Sequence, residues 1–159
     1  MTAEQFLDTI WQITRTAPPR ADAPVSLPAF EAGVPKEHRF IRAALVRSDP
    51  LMRSLGRPNR EQVVTTRPDV LTTLQALDLS NGQILATQLT RGAANVLKVN
   101  PMAAPDQVIE LIYLEALCRR PTQEELAAAR PILGTPATVD GLADLLWCLF
   151  MLPEYQLIR

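Results

Sequence analysis

Histidine and cysteine are scarce in this 159-residue sequence. There is one histidine, His38, and the two cysteines, Cys118 and Cys148, are separated without a C-x-x-C or C-x-x-C-H pattern. A zinc ribbon, a thioredoxin-type redox motif and covalently attached haem all require such closely paired cysteines, and histidine-built metal sites require more than one histidine. We therefore expect no metal and no cofactor.

Long apolar runs and aromatic residues are also few. The longest uninterrupted apolar run, from Leu145 to Leu152, is far shorter than the ~20 residues of a membrane-spanning helix. The first residues, Met1 to Gln5, lack the basic and apolar regions of a signal peptide. We expect no membrane span and no signal peptide in the chain as given. Aromatic residues make up 5% of the sequence, too few to indicate a surface that stacks bases or sugars.

The charge is nearly balanced overall but unevenly distributed. The net charge of -1 gives no general electrostatic reason to expect binding to nucleic acid or to an anionic membrane. A basic excess lies between Lys36 and Arg67, and almost all of it is arginine. Arginine suits bidentate pairing with carboxylates or phosphates, so this stretch is the main charged feature. With 47% hydrophobic residues, the chain has the composition of one globular domain spanning residues 1–159.

Apolar residues recur at helical spacing along most of the chain, and no convincing pair of alternating strands is visible. The predicted fold class is all-α, an irregular bundle of about six or seven helices with a long proline-rich connection at residues 17–37. The predicted helical segments, two of which are short, start at Ala3, near Phe40 (short), at Pro50 (short), after Asp69, after Gly82, at Pro105, at Gln123 and after Asp140.

Capping patterns place several helix ends. Thr2 with Gln5, and Thr122 with Glu125, are capping boxes. Asp49 before Pro50 indicates an N-cap followed by a proline in the first turn, and Asp69 and Asp140 are candidate N-caps. The dipeptide Asn81-Gly82 predicts a junction of two helices. A short amphipathic helix is expected to end near Ser48.

The best candidate site is the arginine-rich loop at residues 56–68. Binding groups often lie on irregular segments, where side-chain donors and hydroxyl groups are accessible. An anion or a sugar would suit these donors, but arginines in such a loop also commonly clamp helix ends or pair with acids. The candidate binding residues, including two on the helix that follows, are Arg57, Asn59, Arg60, Thr66, Arg67, Gln75 and Asn81.

No catalytic residues are identified. Glu110 and Glu115 are about 140° apart around a helix, so their carboxylates diverge. The serines lack a G-x-S-x-G context. The cysteines fall within apolar helices and are expected to be buried. Arg119 and Arg120, at a tight turn between helices, are explained by their favourable interaction with the carbonyl end of the preceding helix.

Two blocks resemble the planctomycete PSD-one domain (domain of unknown function 1553). The first runs from Gly56 through Thr65-Thr66-Arg67-Pro68 to Gln75-Ala76-Leu77-Asp78-Leu79-Ser80-Asn81. The second runs from Ile112 through Tyr113-Leu114-Glu115-Ala116-Leu117-Cys118-Arg119-Arg120-Pro121-Thr122 to Glu125, followed by Trp147 and Pro153-Glu154-Tyr155. The sequence departs from the family at Met151-Leu152-Pro153, where an asparagine is more usual.

The resemblance implies that the chain is the C-terminal part of a large exported bacterial protein, found at the cell surface or in the periplasm. Family members carry this domain after another planctomycete domain and sometimes after a cytochrome-c-like one. If the protein is exported, a disulfide bond between Cys118 and Cys148 is a further option. The family has no assigned activity, so the resemblance supplies none.

The leading functional hypothesis is a non-catalytic helical scaffold or interaction domain. Its partners would be upstream domains of the same protein or another protein, with an anionic or sugar ligand as a further option. The alternative is part of a hydrolytic module acting on polysaccharide, whose active site would combine this loop with residues outside the chain. Nucleic-acid binding is the weakest hypothesis and rests only on the basic stretch; we expect no nucleic acid as a partner.

Overall fold

The computed structural model describes residues 1–22, 41–58 and 72–156. Within these ranges the chain is helical and contains no strand, so the all-α prediction is confirmed. Seven α-helices have five residues or more, and a 3-10 helix at Ala43–Leu45 and a last short α-helix complete the set. The α-helices are α1 (Ala3–Thr14), α2 (Pro50–Ser54), α3 (Thr73–Asn81), α4 (Gln83–Val99), α5 (Pro105–Leu117), α6 (Gln123–Leu133), α7 (Val139–Phe150) and α8 (Pro153–Gln156).

Threonine capping boxes begin three of these helices. The side chain of Thr2 accepts a hydrogen bond from the Gln5 amide while the Gln5 side chain accepts one from the Thr2 amide, and Thr122 with Glu125 does the same at α6. Each reciprocal pair satisfies two backbone N–H groups that the first helical turn leaves without partners. Both capping boxes, and the Asp49 cap of α2, match the prediction.

Two predicted aspartate caps are wrong. The N-cap of α3 is Thr72, not Asp69, because Gln75 completes a capping box with Thr72. The N-cap of α7 is Thr138, not Asp140, which lies inside the first turn. In both cases the helix starts at the position where a threonine hydroxyl reaches the amide three residues ahead.

The predicted amphipathic helix ending near Ser48 is also not formed in the described part of that stretch. Only the 3-10 turn at Ala43–Leu45 is helical, and the backbone is extended at Arg42 and at Val46. The amide of Ala43 donates to a side chain of α1 instead of to a helical carbonyl. Tertiary contacts with α1 therefore decide the conformation here. Most of the proline-rich connection, from residue 23 on, lies outside the described residues.

The core forms where α4 packs against α7 and α1, and α6 also packs against α7. The α1–α4 contact is close because α4 has Gly92 at the crossing, where a Cβ atom would collide with the side chain of Thr14. Near this crossing the Asn95 amide donates to the carbonyls of Thr14 and Arg15, at the C-terminal end of α1. The largest fully buried side chains are Leu7, Ile10, Met52, Leu85, Val108, Ile109, Ile112, Leu133, Leu142, Leu146, Leu149 and Phe150.

Helix α8 is fastened to α1 by one buried tyrosine. The ring of Tyr155 packs edge-on against Phe6 and tilted against Phe150, with centroids 6.2 and 4.8 Å away. Its hydroxyl lies 2.6 Å from the hydroxyl of Thr9. Burial raises the pKa of Tyr155 to about 12. The contact closes the bundle between its first and last described helices. None of the described helices has the length and apolarity needed to cross a bilayer.

Candidate functional site

Arg57, the first residue of the predicted site, is buried and faces the protein interior. Its guanidinium donates to the carbonyl oxygens of Ala43 and Ala44, at 2.9 and 3.1 Å, and contacts the sulfur of Met52. Its Nε lies 3.6 Å from a carboxylate oxygen of Glu4, and only 6% of the side chain is exposed. Arg57 thus clamps the 3-10 turn, α2 and α1 together. Any ligand-binding role for it stays a prediction.

A second ionic contact, in which only the carboxylate is buried, lies beside this arginine and was not identified from the sequence. Asp8 of α1 is 7% exposed and accepts hydrogen bonds from the Arg42 guanidinium and the Ala43 amide. Glu4 and Asp8 are four residues apart and therefore lie on one face of α1. We call these two carboxylates with Arg42 and Arg57 the α1 brace. The only sequence signal for it is an aspartate between the apolar positions Leu7 and Ile10.

Two other predicted site residues lie on α3 and have separate surroundings. Gln75 is 7% exposed and its side chain accepts a hydrogen bond from the Thr72 amide in the capping box. Asn81 is the last residue of α3 and is exposed. The remaining candidates, Asn59, Arg60, Thr66 and Arg67, lie outside the described residues, and their binding role stays a prediction. The hydrolytic hypothesis would be favoured by a cleft that collects Arg57, Arg67, Gln75 and an acid. Arg57 is instead engaged by the 3-10 turn and by Glu4, and Arg67 lies outside the described residues.

The orientation of α3 is unusual for a helix on the surface of a soluble domain. Its one buried residue is the polar Gln75, whereas Leu74 and Leu77 are 58% and 55% exposed. A surface helix normally turns its leucines to the core and its polar residues outward. The carbonyl of Leu79, in the last turn of α3, accepts a hydrogen bond from the indole of Trp147 on α7. Contacts near its ends, together with Leu79, which packs against the core, therefore hold α3 in place while Leu74 and Leu77 face outward.

A shallow cavity of about 210 Å³ lies where α3 meets α4. Its lining combines apolar side chains from α2 and α4 with one carboxylate and the glycine of the junction. The lining residues are Pro50, Leu51, Asp78, Gly82, Gln83 and Ile84. Gly82 has extended backbone angles and caps both helices.

The second resemblance block forms an ionic cluster that the helix-end explanation of Arg119 missed. The Arg119 guanidinium donates two hydrogen bonds to Glu125, at 2.7 and 2.8 Å, and two to Glu154 of α8, at 2.8 and 2.9 Å. It also lies 5.7 Å from the ring centroid of Tyr113. These hydrogen bonds lower the pKa of Glu125 to about 2 and lower that of Glu154, and they raise the pKa of Arg119. Arg119 joins the end of α5 to the start of α6 and to α8.

The two cysteines are free thiols and differ in exposure. Cys118 is exposed at the C-cap of α5, so its predicted burial is wrong; its left-handed conformation (φ 55°) ends the helix and turns the side chain away from the core. Cys148 is partly buried on α7, and burial raises the pKa of its thiol. Across the described ranges, no group of three or more His, Cys, Asp or Glu side chains is placed to hold a metal ion.

The described residues thus present two kinds of arrangement. The α1 brace and the Arg119 cluster engage charged groups in contacts between helices, whereas the outer side of α3 offers uncharged, partly apolar side chains to other molecules. No curated protein and no solved structure matches the chain. A family model does match, over residues 1–133, from α1 to the end of α6. On that match, the chain belongs to the PSD1 family of proteins of unknown function (DUF1553).

Proposed function

We propose that this chain is a helical scaffold or interaction domain of a larger exported bacterial protein, and that the outer side of α3 contacts a protein partner or an upstream domain of the same polypeptide. The observation that carries the proposal is the exposure of Leu74 and Leu77 on a helix whose one buried residue is the polar Gln75. Leu74 and Leu77 are neighbours on one side of α3, and a contiguous apolar patch on a structured surface marks a contact site for other molecules.

The contacts that hold α3 support this function. A nine-residue helix is marginal in water on its own, because each helix must overcome a costly nucleation step. Here α3 is retained by a capping box at Thr72, by its junction with α4 at Gly82, and by the hydrogen bond from Trp147. The fold thus holds two leucines at the surface in a fixed helical geometry, which is the arrangement that a helix-in-groove contact requires.

The proposal that the parent protein is exported, and that this domain follows other domains in it, is supported by the family resemblance. Fractionation of the source bacterium, with an antibody against this chain, tests this part. We expect a polypeptide larger than 17.6 kDa in the periplasmic or cell-surface fraction. Recovery in the cytoplasm alone would contradict export.

Hydroxyl-radical footprinting tests the interaction role. The parent protein, purified from the bacterium, is compared with the isolated chain at low micromolar concentration, and oxidation of individual side chains is measured by mass spectrometry. We expect Leu74 and Leu77 to be several-fold less oxidised in the parent protein. Met102, which is 93% exposed, is the control and should be oxidised equally in both. Equal oxidation of the two leucines in both samples would refute the proposal.

A further inference from the structure

We draw no further inference here: the strongest candidate, the shallow cavity between α2, the end of α3 and the start of α4, joins an α4 N-terminus that has no side-chain cap to the single carboxylate of Asp78, two features that favour ligands of opposite charge, and nothing else in the described residues shows which ligand would occupy it.

Discussion

Arg57→Met separates a structural role of the predicted binding arginine from a binding role. Methionine retains most of the aliphatic stem but removes the guanidinium, and with it the hydrogen bonds to the carbonyls of Ala43 and Ala44 and the ionic contact with Glu4. A hydrogen bond from a charged donor contributes about 1.5–3 kcal/mol, and removing one member of a buried ion pair costs about 3–5 kcal/mol. The two ranges describe the removal of the same guanidinium, so they are not added. We expect the free energy of unfolding to fall by about 3 kcal/mol, where the ranges meet.

For a domain of this size a loss of about 3 kcal/mol corresponds to a decrease in melting temperature of roughly 10 °C. Urea unfolding, followed by circular dichroism and by the fluorescence of Trp11 and Trp147, measures the free energy of unfolding. The control is Arg91→Met, which changes an exposed arginine of α4 and should stay within about 0.5 kcal/mol of the wild type. If the free energy of unfolding of Arg57→Met equals that of the control, Arg57 does not hold the 3-10 turn, α2 and α1 together. The interpretation of Arg57 as a binding residue of the loop would then be favoured again.

Three further perturbations test the packing and the ionic contacts. Gly141→Ala should destabilise the fold by about 2 kcal/mol, although alanine normally favours a helix. The reason is that its Cβ would collide with the last carbonyl oxygens of α6. A variant that is more stable than the wild type in urea unfolding would contradict this. Burial raises the pKa of both tyrosines, Tyr113 and Tyr155. Absorbance at 295 nm should therefore show them ionising above pH 10 in the folded chain and near pH 10 in urea. Ionisation of both at pH 10 in the folded chain would contradict this. Glu125 has a folded pKa of about 2 against an ordinary 4.5, so its contribution is present above pH 4.5 and lost as the pH falls towards 2. Melting curves of Glu125→Gln should therefore show a lower melting temperature than the wild type at pH 7, and a smaller fall in melting temperature between pH 4.5 and pH 2. The control Glu124→Gln should behave like the wild type.

Features that depend on neighbouring residues could be predicted from the sequence. Three helix starts are specified by signals no longer than four residues: the capping boxes at Thr2 and Thr122, and the proline after Asp49. The Asn81-Gly82 dipeptide specifies the junction in the same way. The all-α fold follows from such signals together with the apolar periodicity, since each helix is encoded largely within its own segment.

The errors arise where residues distant in sequence determine the outcome. Asp140 is as good an N-cap as Thr138 by propensity, but the close approach of Gly141 to the end of α6 fixes where α7 starts. The link from Arg119 to Glu154 spans 35 residues, and no spacing rule could identify it. Arg57 looked like a loop donor because its partners, Ala43 and Glu4, are specified only by the tertiary fold.

Helices α3 and α6 show why the outer side of α3 calls for a functional explanation instead of a local one. Both begin with a threonine capping box of the same geometry, so local signals start both helices equally well. Helix α6 then buries Leu126, Ala129 and Leu133 and exposes charged residues, which is the usual way that a helix gains stability from its surroundings. Helix α3 buries a glutamine and exposes two leucines, leaving about 200 Å² of apolar surface in water, which at ~25 cal/mol per Å² forgoes about 5 kcal/mol of possible burial. A helix that begins with a full capping box and packs Leu79 against the core, yet leaves Leu74 and Leu77 exposed, is accounted for if that surface is covered by another molecule.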